Sequence, residues 1–348
     1  MMKFNFDTVA TFSSPCYIIA EIGVNHNGNM KQARKMIAAA KDAGADAVKF
    51  QTFTAKALVT KGTPKARYQE TTTDAGETHF DMIERLELKR DQHLPLMKHC
   101  DAIGIDFIST PYDIDSAAFL DNIGVGLFKT ASPDIVDLPL QRFLAETKKP
   151  VIVSTGMASL GEVETVVNLY RESGNTQIIL LHCVSNYPCS NDSLNLRVIQ
   201  ALHDTFKIPV GFSDHSEGSH AAIIAVALGA RVVEKHFTLD KNLPGPDHKA
   251  SSTPDEFSDL VQSIRCAERA LGSSIKECQK EERQTLQVSR KSVVLKKSVR
   301  KGERITADHL TMKRPGTGIS SMEIPRITDK IAKRDMPEDH LLRWSDIE

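Results

Sequence analysis

A (β/α)8 barrel (α/β class) followed by a small β-rich domain is the architecture this sequence predicts, and three observations predict it. Strand-like runs alternate with amphipathic helical patterns eight times, over the roughly 250 residues such a barrel occupies. The runs are nearly continuous in apolar residues, as in Ile178-Ile179-Leu180-Leu181, which suits a parallel sheet covered on both faces. After residue 272 the alternation stops, and a charged stretch leads into a short tail with β-type runs.

The strand-like runs fall at 17–20, 47–50, 106–109, 126–129, 151–154, 178–182, 210–213 and 232–235. Between them, 161–172 places Val163, Val166, Val167 and Tyr170 at helical spacing, and Gly174 supplies a left-handed stop. A doubly wound open sheet is the alternative, but it calls for Gly-x-Gly-x-x-Gly after its first strand. The turn here, Gly23-Val24-Asn25-His26-Asn27-Gly28, lacks that pattern. A helical pattern over 254–271 closes the barrel at Gly272. Residues 1–272 are therefore expected as the catalytic barrel, 273–289 as a linker or exposed helix, and 290–348 as the small domain. Within the small domain, 292–295 and 302–305 read as β-type runs and 315–318 as a turn.

Charged residues make up 26% of the 348-residue chain and nearly cancel, to a net charge of −1. No global field for a polyanion results, so nucleic acid is not an expected partner. Residues 1–14 carry no apolar core of signal-peptide length, and no segment approaches a membrane span. The six cysteines (16, 100, 183, 189, 266 and 278) include no Cys-x-x-Cys pair. They read as reduced thiols of a cytoplasmic enzyme.

Side chains at the carboxyl ends of barrel strands line the reaction site. Here those positions hold Glu21, Lys49 with Gln51, Ser109 with Thr110, Lys129 with Ser132 and Asp134, Ser154 with Thr155, Ser185 with Tyr187, Ser213 with His215, and His236. Two imidazoles at the ends of consecutive strands can converge on one metal ion. Two lysines with several hydroxyls describe a pocket for a phosphorylated anion. The competing readings are helix capping for Ser109, Thr110 and Thr155, and a Schiff-base role for Lys49 or Lys129. Glu21 leads as acid or base, with a fixed ion pair to Lys49 as its compatible alternative.

Nine segments in order resemble the sialic acid synthase family, whose members make nine-carbon 2-keto sugar acids. They are 20–28, Val48-Lys49-Phe50-Gln51-Thr52, 107–111, Ser154-Thr155-Gly156-Met157, Leu181-His182-Cys183, Gly211-Phe212-Ser213-Asp214-His215, Glu234-Lys235-His236-Phe237-Thr238, Pro244-Gly245-Pro246-Asp247-His248 and Lys313-Arg314-Pro315-Gly316. The tail resembles the small antifreeze-like (SAF) domain of these enzymes. The resemblance implies condensation of phosphoenolpyruvate with an open-chain N-acylated aminohexose, releasing phosphate. It also implies a divalent metal, manganese first, on His215 and His236. Phosphoenolpyruvate would meet Lys49, Lys129, Ser132, Ser154 and Ser213, and the sugar Gln51, Tyr187 and Asp247. Thr110 and Ser185 are further candidates for substrate contact, with Ser185 standing where some members carry asparagine. Asp134, also a candidate, stands where several have glutamate. Arg314 would reach the site of the other subunit in a domain-swapped homodimer.

N-acetylmannosamine ranks first as acceptor, giving N-acetylneuraminate. A 2,4-diacetamido-trideoxyhexose, giving legionaminic acid, is the alternative, because 66–73 faintly resembles the legionaminic members. That stretch lies in a long loop after the second strand, placed to meet the distal end of the sugar. Pseudaminic acid synthases are relatives whose aromatic-rich loop has little counterpart here. A carbohydrate- or ice-binding protein is the non-enzyme alternative, opposed by the charged run Lys296-Lys297-Ser298-Val299-Arg300-Lys301.

Overall fold

The computed structural model describes residues 4–11, 14–74 and 76–348, and for Arg67, Tyr68 and Thr71 only the backbone. The expectations for 1–14 and 66–73 thus fall partly outside the described residues. The chain divides into two compact units, Met1–Gly272 and Ser273–Glu348. Among the described residues, no helix is long and apolar enough to cross a membrane.

The first unit holds eight parallel strands: β1 Tyr17–Gly23, β2 Ala47–Thr52, β3 Asp106–Pro111, β4 Phe128–Thr130, β5 Val151–Ser154, β6 Ile178–Cys183, β7 Val210–Asp214 and β8 Val232–His236. They pair in the order β3-β2-β1-β8-β7-β6-β5-β4. The two ends of that order, β3 and β4, lie side by side without a ladder between them. This near-closed barrel is the (β/α)8 fold expected from sequence. β1 pairs with both β2 and β8, which brings the first strand's carboxyl end beside both neighbours.

Because side chains alternate along a strand, every second residue faces the barrel axis. Ile19, Ala47, Ile108, Leu127, Ile152, Ile179, Leu181 and Val232 fill that axis as one buried cluster. Each buried Ile, Leu or Val side chain there stabilises the fold by about 1.5–3 kcal/mol. Gly211 belongs to the same inward rows, and a Cβ there would collide with the Val232 carbonyl and with Leu181. At the amino end of the barrel the Tyr17 hydroxyl and the Phe4 N–H both donate to Asp106 Oδ2 at 2.7 Å. The barrel is thus plugged by apolar residues above this one buried hydrogen-bonded group, and the larger set of polar side chains gathers at its other end.

The surrounding helices start on side-chain caps that the sequence supplies. Ser159 with Glu162 opens helix Leu160–Glu172, and Thr253 with Glu256 opens helix Pro254–Leu271. The long connection after β2 is not a plain loop. It contains the short helices Ala55–Leu58, Arg67–Thr72 and His79–Leu86, the last capped by Thr78 and Asp81.

In the second unit, residues 273–289 include the exposed helix Arg283–Ser289. Strands β9 Ser292–Leu295 and β10 Leu310–Lys313 pair antiparallel. Around them Val293, Leu295, Val299, Ile305, Ile319, Ile327, Met336 and Leu342 form a separate small core. The 302–305 run is not a strand. Gly302 turns the chain at positive φ, and Arg304 makes a single bridge to Ile331. Ile305 is apolar because it is buried in that core, not because it belongs to a ladder.

Candidate active site

The inward rows of the barrel continue past the apolar plug. Glu21, Lys49, Gln51, Lys129, Ser154, Cys183, Ser213, His215, Glu234 and His236 open onto one cavity of about 430 Å³ at the carboxyl ends of the strands. Ser132, Ser185, Tyr187 and Asp247 join them from the following loops.

Four charges form a dry chain across its floor. Lys49 Nζ lies 2.7 Å from Glu21 Oε2 and 3.9 Å from Glu234 Oε2. Lys129 Nζ lies 3.7 Å from Glu234 Oε1. Ser213 donates to the same Oε1 at 3.0 Å, and Lys129 donates to Ser154 Oγ. Gln51 donates to Glu21 Oε1 at 3.0 Å. Burial pushes the Glu21 carboxyl above its ordinary range; Lys49 pulls it back, while Glu234 adds to the rise. Burial pushes the same way on Glu234, but Lys129 and Lys49 outweigh it and hold Glu234 low. Burial opposes charge on Lys49, yet its two carboxylates keep it above the usual lysine value. Lys129 falls below that value, because burial outweighs Glu234. One carboxylate therefore stays ionised between two ammonium groups, while the other is closer to proton exchange.

The imidazoles face each other on the same side of the cavity. The His215 and His236 ring centroids are 5.5 Å apart, and the Tyr187 ring lies tilted against His215 with centroids 4.1 Å apart. His215 Nδ1 lies 2.9 Å from the Val184 carbonyl oxygen, which only a donor satisfies, so in the neutral ring Nε2 carries the lone pair. His236 Nδ1 is buried with no hydrogen-bond partner, and Asp247 Oδ2 lies 4.0 Å away. Burial holds His236 well below the usual histidine value, with His215 adding to the drop, so it stays neutral. Burial lowers His215 too, but Cys183, the Val184 carbonyl and Glu234 outweigh it and raise it above the usual histidine value. A divalent transition metal would bind the pair with His215 in its neutral form. Among the described residues, no group of three or more His, Cys, Asp or Glu is arranged to hold one. Any metal here would take only two nitrogens from this chain's barrel and keep open positions.

Helix capping is not the job of the strand-end hydroxyls. Ser109 bonds Thr52 at 2.6 Å, Thr155 donates to the Leu181 carbonyl at 2.9 Å, and Thr110 accepts from Lys49 at 3.1 Å. Asp113 and Ser159 cap the helices that follow. Two candidates do not reach the cavity lining. Thr110 sits behind Lys49 and fixes its ammonium. Asp134 lies in the turn Ser132–Val136, buried with Oδ2 unpartnered, and burial lifts its carboxyl to about 7. Arg314 belongs to the second unit, where it is exposed just after β10.

Residues 36–276 match the NeuB family, and residues 290–348 match the SAF domain. The chain belongs to the NeuB family. An N,N'-diacetyllegionaminic acid synthase of Campylobacter jejuni is 45% identical to this NeuB chain, over 94% of it and 98% of the relative. One of Legionella pneumophila is 44% identical over 97% and 96%. A crystal structure of N-acetylneuraminic acid (sialic acid) synthetase from Leptospira borgpetersenii superposes with TM-score 0.71 at 34% identity, covering 78% of this chain and 90% of that one. This NeuB protein is accordingly an enzyme, a sugar-acid synthase.

Two residues of the NeuB cavity went unassigned in the sequence reading. Glu234 joins both lysines, and strand alternation finds it, since Glu234 and His236 are two apart on β8 and share a face. Its neighbour Lys235 points the other way and binds Asp214 at 2.8 Å. Cys183 lies 3.7 Å from His215 Nδ1 and accepts from Ser132 at 3.5 Å. Burial alone would raise its thiol, but His215, Ser132 and Lys129 bring it down to about 7.

Proposed function

We propose that this enzyme condenses phosphoenolpyruvate with the open-chain aldehyde of an N-acylated aminohexose, giving a nine-carbon 2-keto sugar acid and inorganic phosphate. The observation that carries this reading is the sharing of one cavity by two poles. Lys49, Lys129, Ser154 and Ser213 make an ammonium and hydroxyl pole for a phosphorylated carboxylate. His215 and His236 lie one inward step beyond Ser213 and Glu234, at the ends of β7 and β8, and open onto the same cavity.

A divalent cation, manganese first, would be held by His215 and His236 and would supply Lewis-acid polarisation of the aldehyde oxygen. The residues then have separable tasks. Lys129 and Ser154 neutralise the donor's anionic oxygens, and Gln51, Tyr187 and Asp247 orient the acceptor. The methylene carbon of phosphoenolpyruvate bonds to the aldehyde carbon, which leaves positive character at the phosphate-bearing carbon. Water adds there, and the carbon–oxygen bond to phosphate breaks. Glu21, bonded to Lys49 and Gln51, is placed to move the water's proton. Ser132 and Ser185 flank Cys183 at the same pole. Arg314 of a second copy would complete the acceptor site in a homodimer, a role suited to an exposed residue of the SAF domain.

The similarity to two legionaminic acid synthases favours a diacetamido acceptor over N-acetylmannosamine. The assay is direct: phosphoenolpyruvate, manganese and each acceptor in turn, with phosphate and keto acid both measured. No phosphate from any acceptor would remove the reading.

A further inference from the structure

Two segments singled out in the sequence, Asn25-His26-Asn27-Gly28 after β1 and Pro244-Gly245-Pro246-Asp247-His248 after β8, take no part in the chemistry above apart from Asp247. The fold ties them to each other. Asn25 is fully buried, and its Nδ2 donates to the Phe237 carbonyl at 3.0 Å and to Ser251 Oγ at 2.9 Å. Ser251 Oγ in turn donates to the Asp247 carbonyl at 2.6 Å. Asn27 Nδ2 donates to the Pro244 carbonyl at 2.8 Å and lies 3.2 Å from His248 Nε2. On the other side of the same ring, His248 Nδ1 lies 2.7 Å from Thr238 Oγ1.

The protons of this network have one consistent arrangement. Thr238 donates its own proton to the Asp240 carbonyl at 3.0 Å, so toward His248 its oxygen accepts. His248 therefore carries its proton on Nδ1, and Nε2 accepts from Asn27, whose two amide protons are both used. Gly245 lets the chain pass this close, because a Cβ there would stand 2.8 Å from the His248 ring and 3.1 Å from Asn27 Oδ1. The effect falls on one residue. Asp247 is gripped at its own carbonyl through Ser251 and at the next residue through His248, while its carboxyl group opens onto the cavity, 4.0 Å from His236 Nδ1. His236 is held separately: its carbonyl accepts from the Ser252 N–H, and the Phe237 N–H donates to the Glu21 carbonyl, both at 2.8 Å.

We infer that Asn25, Asn27, His248 and Ser251 are positioning residues, a clamp reaching from the β1 turn that fixes the Asp247 carboxyl group where the acceptor binds. The inference rests on the condensation reading above and adds which residues hold the acceptor contact in place. Asp247 stands on a long connection rather than on a strand, so its own backbone does not fix it as β7 and β8 fix the imidazoles. A contact that orients a reactant loses its value when it shifts by a fraction of an ångström. The clamp removes that freedom with buried donors that have no other partners to turn to.

Two variants cut the clamp at different points. Ser251→Ala breaks the link to the Asp247 carbonyl, and Asn27→Gly breaks the link to His248 while suiting the left-handed φ of 51° at that position. With whichever of 2,4-diacetamido-2,4,6-trideoxymannose and N-acetylmannosamine turns over faster, each should lower acceptor kcat/KM by about 3–10-fold, the worth of one hydrogen bond. The KM for phosphoenolpyruvate and manganese binding by titration calorimetry should stay as in the native enzyme, because the lysines and His236 are held separately. Ser251→Thr keeps the hydroxyl and should restore the acceptor kinetics. A double-mutant cycle decides the role: on an Asp247→Ala background, Ser251→Ala and Asn27→Gly should cost the acceptor nothing further. If Ser251→Ala fails to fold, Asn27→Gly, at a partly exposed position, carries the test alone. Equal losses on both backgrounds, or a parallel loss of phosphoenolpyruvate and manganese binding, would overturn the clamp and leave the condensation standing. Native acceptor kinetics in both variants would do the same. No phosphate from the native enzyme with either sugar would remove the condensation reading, and the inference with it.

Discussion

Lys49 and Glu21 stand opposite each other on adjacent strands, paired in register, with Nζ and Oε2 2.7 Å apart and both side chains almost dry. Neither has an apolar reason to be there, and each would be costly to bury without the other. Their pairing explains how a carboxyl group can sit ready for proton transfer above an apolar plug.

Glu21→Gln keeps the shape and the contact with Gln51 but removes the proton-carrying group. Turnover should fall ~10²–10⁴-fold, with little change in KM for phosphoenolpyruvate. Glu21→Ala should in addition lower stability by about 3–5 kcal/mol, because Lys49 is left buried without its near partner. Phosphate-release kinetics and urea unfolding measure the two effects separately. A Gln variant with native turnover would end the acid–base role of Glu21.

Asp134 provides a pH signature independent of catalysis. Burial raises its carboxyl from 3.8 to about 7 in the folded protein, with Asp137 adding to the rise. Between those values the folded state holds a proton that the unfolded state has lost. Its contribution is therefore fully present below about pH 4 and disappears as pH climbs through about 7. Asp134→Asn should flatten the loss of stability between about pH 4 and pH 7, measured by urea unfolding at each pH. Because Asp134 does not line the cavity, the variant should keep turnover within a few-fold of native.

The difference between Glu234 and Asp134 shows what the sequence can and cannot reveal. The eight strands are legible because a barrel strand is buried on both faces, so its apolar run is continuous and a charge at its end stands out. Lys49, Lys129, His215 and His236 were found that way. Glu234 lies one step before the strand's last two residues and is recognised only when alternation is applied to β8. Thr110 has the inward parity, but its hydroxyl is taken up by the Lys49 ammonium and does not line the cavity, which no spacing encodes. Asp134 lies within the turn Ser132–Val136, where period-two reasoning has no purchase. The hydrophobic cluster of Val24, Phe53, Ile83 and Tyr112 was least visible, because these residues come from separate segments that only the fold brings together.

Removing metal should separate the two poles. Incubation with EDTA should abolish phosphate release, and manganese should restore it. His215→Ala and His236→Ala should each weaken manganese binding, measured by titration calorimetry, by more than the ~10–100-fold typical of losing a ligand's supporting hydrogen bond. Lys129→Met should leave manganese binding intact and raise KM for phosphoenolpyruvate. Borohydride added during turnover should label neither Lys49 nor Lys129, since the ammonium of Lys49 is tied between Glu21 and Glu234. Covalent labelling of either lysine would replace this mechanism with Schiff-base chemistry.

Arg314 offers a test of whether two copies share a site. If Arg314 serves the barrel of a second copy, Arg314→Ala and Glu21→Ala chains should both be weak alone and should complement when mixed. In a mixed dimer, one site receives both defects and the other receives neither. Random re-pairing makes half the dimers mixed, so about a quarter of native activity should return. The mixture must first be dissociated and reassembled, with mixed dimers confirmed by differently tagged chains. If confirmed mixed dimers show only the average of the two weak parents, Arg314 serves its own chain. If Arg314→Ala alone keeps native kcat/KM for the acceptor, it has no part in the site.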